Sequence, residues 1–201
     1  WIKRSDFEGV ARSDAASFSI NDKGYVFGGY DGKNRLSDLW EYNVQQDYWT
    51  QKAEFPGAGR TTATAFSLDN KGYIGTGFDG SNYLKDFWEY DPASNTWTQK
   101  ADFGGSARSG AVSFGLSGKG YIGTGYDGNF LKDMWQYDPA TDTWNQTTSA
   151  GGSKRNNATA FVHGDKAYLV CGINNGAYIT DFWRFDPADQ QWTKMRDIAN
   201  K

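Results

Sequence analysis

The chain has one cysteine, Cys171, and one histidine, His163, among its 201 residues. A lone cysteine rules out an intrachain disulfide, so packing must hold the fold together. A lone histidine leaves no zinc-type ligand spacing and no base beside Ser109 for a nucleophilic triad. The glycine-rich segments recur with a fixed period and belong to the architecture, so none reads as a phosphate cradle. No cofactor or metal is expected. Lys and Arg form no run and the formal net charge is −3, which argues against a nucleic-acid partner and an anionic-membrane patch. No apolar stretch approaches the length of a membrane span or a signal-peptide core, so no direct membrane insertion is expected. No helical pattern of useful length occurs.

What the chain has instead is aromatic residues, 17% of the total, with 25 glycines to make room for them. It also repeats. Arg12, Arg60, Arg108 and Arg155 recur at steps of 48, 48 and 47 residues. Tyr25, Tyr73, Tyr121 and Tyr168 keep the same frame, as do Asp38, Asp86, Asp133 and Asp181. Two tryptophan series follow it: Trp40, Trp88, Trp135 and Trp183, and Trp49, Trp97, Trp144 and Trp192. A period in this range means one supersecondary unit packed on copies of itself.

One unit resolves into four strands. Thr61 to Leu68 alternates with small side chains and reads as an inner strand, where neighbouring units crowd. Asp69 to Gly72 is a hairpin turn. Tyr73 to Gly77 is a second strand whose glycines leave space for a bulky neighbour, Trp88 or Trp97. A loop over Phe78 to Asn82 precedes a third strand, Leu84 to Tyr90, and the Asp91-Pro92 turn leads to an outer strand, Trp97 to Lys100. Four short hairpin-linked strands per unit match a β-propeller blade.

Gly28-Gly29, with Tyr25 just ahead and Trp40, Tyr42 and Trp49 behind, resembles a Kelch repeat, and the other three units resemble it too. Thr76-Gly77, Thr124-Gly125 and Cys171-Gly172 stand where that pattern has two glycines, so only the second glycine is kept in all four. The resemblance implies an all-β Kelch-type propeller: an outer strand over residues 1–7, then blades over about 8–55, 56–103, 104–150 and 151–201. Such propellers typically close with six or seven blades, and although four can close a ring, the outer strand over residues 1–7 would then have nowhere to pair. The chain also opens on Trp1, inside the pattern. Both features lead to the expectation of a piece of a larger propeller, completed by further sequence or by a second copy.

The family binds through the face where the connection into each inner strand meets the loop between second and third strands. By position that face takes Arg12, Ser13 and Asp14; Arg60, Thr61 and Thr62; Arg108, Ser109 and Gly110; Arg155, Asn156 and Asn157. From the other loop it takes Tyr30 and Asp31, Phe78 and Asp79, Tyr126 and Asp127, and Ile173 and Asn174. Side-chain rings, carboxylates and small polar groups in this mixture suit a protein or peptide segment, or a glycan. Three parts of the set also have a purely structural reading. The Asp-Gly pairs are turn formers, the rings can cover blade junctions, and the arginines can tie strands to Asp38 and its equivalents. The set Asp14, Thr62, Gly110 and Asn157 varies most and reads as the least constrained by the scaffold, hence the seat of specificity.

Some Kelch-like propellers resemble galactose oxidase, whose copper site needs two histidines, which this chain lacks; others resemble sugar mutarotases, which need only acids, arginines and polar groups. The expectation is a non-catalytic binding scaffold, with a carbohydrate-binding or sugar-converting propeller as the alternative. The near-identical second and third units, the aromatic loops and the absence of thiol chemistry point to an extracytoplasmic setting.

Overall fold

A computed structural model describes residues 1–198. Four four-stranded antiparallel sheets follow one another in chain order. Blade one holds β1 (Ala16–Ile20), β2 (Lys23–Phe27), β3 (Leu39–Asn43) and β4 (Tyr48–Gln51). Blade two holds β5 (Thr64–Leu68), β6 (Lys71–Gly75), β7 (Phe87–Asp91) and β8 (Thr96–Lys100). Blade three holds β9 (Val112–Leu116), β10 (Lys119–Gly123), β11 (Met134–Asp138) and β12 (Thr143–Thr147). In blade four a small hairpin, β15 (Ile173–Asn174) with β16 (Ala177–Tyr178), separates β13 (Thr159–His163) and β14 (Lys166–Val170) from β17 (Phe182–Asp186) and β18 (Gln191–Lys194). This is a β-propeller architecture, as the repeat predicts.

Strand limits differ from the sequence reading at the glycine pair. β6 ends at Gly75, because Thr76 and Gly77 turn out of the strand with φ of 58° and 107°. The first of these lies in the left-handed region that a side chain can enter at a penalty; the second is open to glycine alone. The four equivalents obey the same division. Gly28, Thr76, Thr124 and Cys171 have φ of 63°, 58°, 57° and 62°, whereas Gly29, Gly77, Gly125 and Gly172 lie at 99°, 107°, 97° and 107°. That is why only the second glycine is kept.

The blades pack through side-chain rings seated over small residues. Phe18 of β1 lies where a side chain at Gly72 would stand, and Phe66 of β5 does the same over Gly120. The bulk expected above Gly75 and Gly77 is neither Trp88 nor Trp97: over Gly75 it is Phe87 of the same blade, and over Gly77 it is the Thr61 carbonyl and Ala63. The phenylalanines of the preceding blades sit over Gly72 and Gly120, which the sequence reading put in the turns. Three buried clusters fill the three junctions, around Phe18 and Tyr90, Phe66 and Tyr137, and Phe114 and Phe185.

The succession is open at its ends: β1 and β13 share no Cα pair within 8 Å. Phe161 of β13 is 45% exposed, where its equivalents Phe66 and Phe114 are 5% and 4%. The hollow over Gly24 meets nothing nearer than Tyr42 at 4.0 Å. Residues 1–7, expected as an outer strand, form none, because no third strand lies beside them among the described residues. Their second half serves blade one instead. The Ser5 amide donates to Asp47 Oδ1 at 2.9 Å, and Phe7 meets Trp40 and Trp49 edge-on.

Thr76 is fully buried and its hydroxyl has no partner. Thr76→Gly is expected to raise stability by about 1 kcal/mol, relieving left-handed strain and an unsatisfied hydroxyl. Gly77→Ala is expected to lower it by more than about 2 kcal/mol. Urea unfolding of the two variants, at unchanged m-value, checks both.

Candidate binding face

The structure brings together the two sets of residues that the repeat frame pairs. Ser13 bridges Tyr30, Thr61 bridges Phe78, Ser109 bridges Tyr126 and Asn156 bridges Ile173, each as a short antiparallel contact. The connection into each inner strand and the loop after each second strand thus form one rim.

The four arginines are turned into the blades. Arg60, Arg108 and Arg155 are at most 1% exposed, and the Arg12 side chain is 5% exposed. Each guanidinium forks onto a carboxylate: Arg60 donates to Asp86 Oδ1 and Oδ2 at 2.7 Å each, and Arg108 to Asp133 at 2.7 and 2.8 Å. Arg12 pairs likewise with Asp38, and Arg155 with Asp181. The same nitrogens also reach the carbonyls of Gly28, Thr76, Thr124 and Cys171. In three blades a tryptophan indole completes the acid's contacts, from Trp40, Trp88 and Trp135. With four N–H donors of Arg12 and of Arg60 and all five of Arg108 and of Arg155 engaged by protein, these residues form the blade's internal tie.

Burial pushes the carboxyls of Asp38, Asp86, Asp133 and Asp181 up. Hydrogen bonds from the partnered arginine, with its charge, outweigh that, and each is held below the ordinary carboxylate value. A depressed folded-state value contributes stability that is complete above the unfolded value of about 4 and is lost as pH falls below it.

The rim carboxylates Asp31 and Asp79 are turn formers. Asp31 Oδ1 accepts from the amides of Lys33 and Asn34, and Asp79 Oδ1 from those of Ser81 and Asn82. Asp127 accepts from the Asn129 amide and from Ser106 Oγ, which belongs to the segment leading into blade three.

The set expected to be least constrained is constrained at its backbone. Asp14, Thr62, Gly110 and Asn157 all have left-handed φ, 56°, 50°, 60° and 50°. The Thr62 amide donates to the Asp14 carbonyl, Gly110 to Thr62, and Asn157 to Gly110, at 2.9, 3.0 and 2.9 Å. One backbone staircase therefore links the blades around the axis. Only the side chains remain free to vary, and Asp14 and Asn157 are exposed there.

A second ladder escapes a sequence reading. Arg35, Tyr83, Phe130 and Tyr178 precede the equivalent residues Leu36, Leu84, Leu131 and Ile179, whose amides bond Gly29, Gly77, Gly125 and Gly172. Arg35 lies between the Tyr30 and Phe78 rings, 5.5 and 5.2 Å from their centroids. Tyr83 lies between Phe78 and Tyr126, at 5.4 and 6.0 Å. These plugs differ in type from unit to unit, so no repeat signal marks them. Phe78 is accordingly engaged between Arg35 and Tyr83, whereas Tyr126 also lines an open cavity with Phe130.

A cavity of about 500 Å³ opens elsewhere, among the hairpin ends near Asn21, Lys23, Gln45 and Pro92. Turn residues and the strand residues Ile20, Lys23, Tyr25 and Asn43 line it. Among the described residues, no group of three or more His, Cys, Asp or Glu could hold a metal ion. His163 closes β13 on an exposed hairpin.

A family profile described as the KLHDC2/KLHL20/DRC7 Kelch-repeats domain matches residues 5–172, and a Kelch motif profile matches residues 154–197. Comparison with curated proteins gives no match. Among solved structures the chain is similar to one described as "Structure of YjhT", with a TM-score of 0.83 and 21% identity, over 96% of this chain and 67% of that one. At that identity the likeness speaks for the fold.

Asp133→Asn is expected to destabilise the chain by about 3 kcal/mol at neutral pH, because Arg108 keeps its buried charge and loses its counter-charge. The variant is also expected to lose less additional stability than the parent as pH falls from about 5 to 2. Urea titrations along that pH series read both effects.

Proposed function

Because this chain belongs to the Kelch-repeat family, we propose that it is a non-catalytic binding scaffold whose rim receives a protein or peptide segment. The observation that carries this reading is the division of labour at the rim. A fixed backbone staircase and four short bridges position exposed, variable side chains such as Ser13, Asp14 and Asn157. Rigid loops with variable tips suit recognition, and the rim carboxylates Asp31 and Asp79 and the four arginines are engaged in turns and ion pairs. The engagement of Phe78 between Arg35 and Tyr83 weighs against the glycan alternative, which needs a run of open aromatic faces.

Replacing Asp14 or Tyr126 by Ala is expected to weaken capture of peptides from a display library about tenfold, with no signal on a glycan array. Glycan signals that depend on Tyr30, Phe78 and Tyr126 reverse the assignment.

The open faces of blades one and four support contact with further Kelch-type blades, from additional polypeptide or a second copy. Phe161 protrudes from one face and the Gly24 hollow lies on the other, the same complementarity that joins Phe18 to Gly72 and Phe66 to Gly120. A head-to-tail contact of this kind closes a ring or extends a chain. The chain is expected to self-associate with concentration in sedimentation velocity, and Phe161→Glu to abolish it. A species that stays monomeric throughout removes the second copy.

A further inference from the structure

We infer that the junction of blades three and four holds a carboxylate-recognising site that takes an acidic side chain of a peptide partner; this rests on the reading of the rim as a peptide-binding face. The first two junctions are plugged at the rim by Arg35 and Tyr83. The third is not. Phe130, the equivalent plug, packs on Tyr126 with ring centroids 5.1 Å apart, and the facing blade offers Ile173 where the others offer Phe78 and Tyr126. A cavity of about 210 Å³ remains, lined by Tyr126, Asn129, Phe130, Lys154, Asn174 and Asn175 with Gly128.

The charge of this junction is inverted relative to its counterparts. Asn174 stands where the other units have Asp31, Asp79 and Asp127, and Lys154 stands where they have Ala11, Gly59 and Ala107. One acid is replaced by an amide and one cation is gained, within a single cavity. The nearest rim acid in sequence, Asp127, is not part of the lining and points its Oδ2 to Ser106, 2.7 Å away. An ammonium group, three carboxamides and a wall of two side-chain rings suit a carboxylate on a short aliphatic stem. The lysine supplies charge, the amides supply N–H donors, and Phe130 and Tyr126 cover the methylenes.

The test is an NMR titration of the labelled chain with acetyl-Gly-Glu-Gly-amide, its glutamine analogue, and glucuronate. The glutamate peptide is expected to shift the side-chain amides of Asn129, Asn174 and Asn175 saturably, about tenfold more tightly than the glutamine peptide. Lys154→Ala is expected to weaken it by about tenfold, and Asn174→Asp, which restores the acid of the other units, by at least as much. Lys154 is exposed, so its replacement leaves the fold intact. Silent amides, equal response to the two peptides, an unaffected Lys154→Ala variant, or preference for glucuronate each overturn the proposal. The outcome separates from that of the scaffold reading. Library peptides that bind the rim with no acidic preference sink this site alone, whereas a glutamate response here with no library binder sinks the scaffold reading alone.

Discussion

The buried arginine–aspartate fork is the interaction on which each blade depends. A guanidinium taken out of water is a severe liability unless every donor is met. Here Arg108 donates to both oxygens of Asp133, to the carbonyls of Thr124 and Ser106, and to Ser106 Oγ, and it stands 4.9 Å from the Phe103 ring centroid. One side chain thus fixes three segments: the connection into the blade, the exit of the second strand, and the start of the third. Its backbone carries the tie outward. The carbonyls of Arg60, Arg108 and Arg155 accept from the amides of Gly29, Gly77 and Gly125 in the preceding blade. The same residue therefore closes one blade and links it to the one before.

That arrangement explains why the rim is both strained and rigid. The second glycine must take a φ near 100° to turn its amide toward the next blade, and the residue before it is drawn into the left-handed region. Thr76, Thr124 and Cys171 accept that strain; their carbonyls are needed by the arginine, while their side chains are not. Two residues past each arginine the backbone is left-handed again, and the interblade staircase runs through those positions. Binding loops built on such a frame lose little entropy when a partner docks.

Much of the fold was legible because it depends on residues that must recur. The arginine, its aspartate, the second glycine and both tryptophans hold one frame, and each meets the same neighbours in most blades. Strand order, hairpins and the two loops of the rim followed from them. The Asp69-Asn70 turn, with φ of 51° and 61°, is the tight hairpin its composition predicts. Three things were not legible. The ring above Gly72 comes from Phe18, 54 positions earlier, and spacing within one unit cannot reveal a contact between two. Arg35, Tyr83 and Phe130 share a place and not a residue type. The variability of Asp14, Thr62, Gly110 and Asn157 concerned side chains only, and hid a backbone role common to all four.

Blade four shows what happens when the recurring contacts are released. In the first three blades a tyrosine hydroxyl, from Tyr42, Tyr90 or Tyr137, donates to Asp47, Asn95 or Asp142. The same acceptor oxygen receives the amide of Ser5, Ala53 or Ala101, fastening the incoming segment to the outer hairpin. In blade four the tyrosine is Phe185 and the acceptor position is Gln190, so the hydroxyl half of that latch is gone. Glu41 and Glu89, which accept from Tyr25 and Tyr73, give way first to Gln136 and then to Arg184. Apart from Gln136 in blade three, these departures collect in blade four, on both its outer hairpin and its rim. The Arg155–Asp181 fork, with Oδ1 at 2.5 Å, is kept there. Keeping the internal tie while releasing the latch and the rim chemistry is the pattern of a unit whose fold is held constant and whose surface has been freed to change.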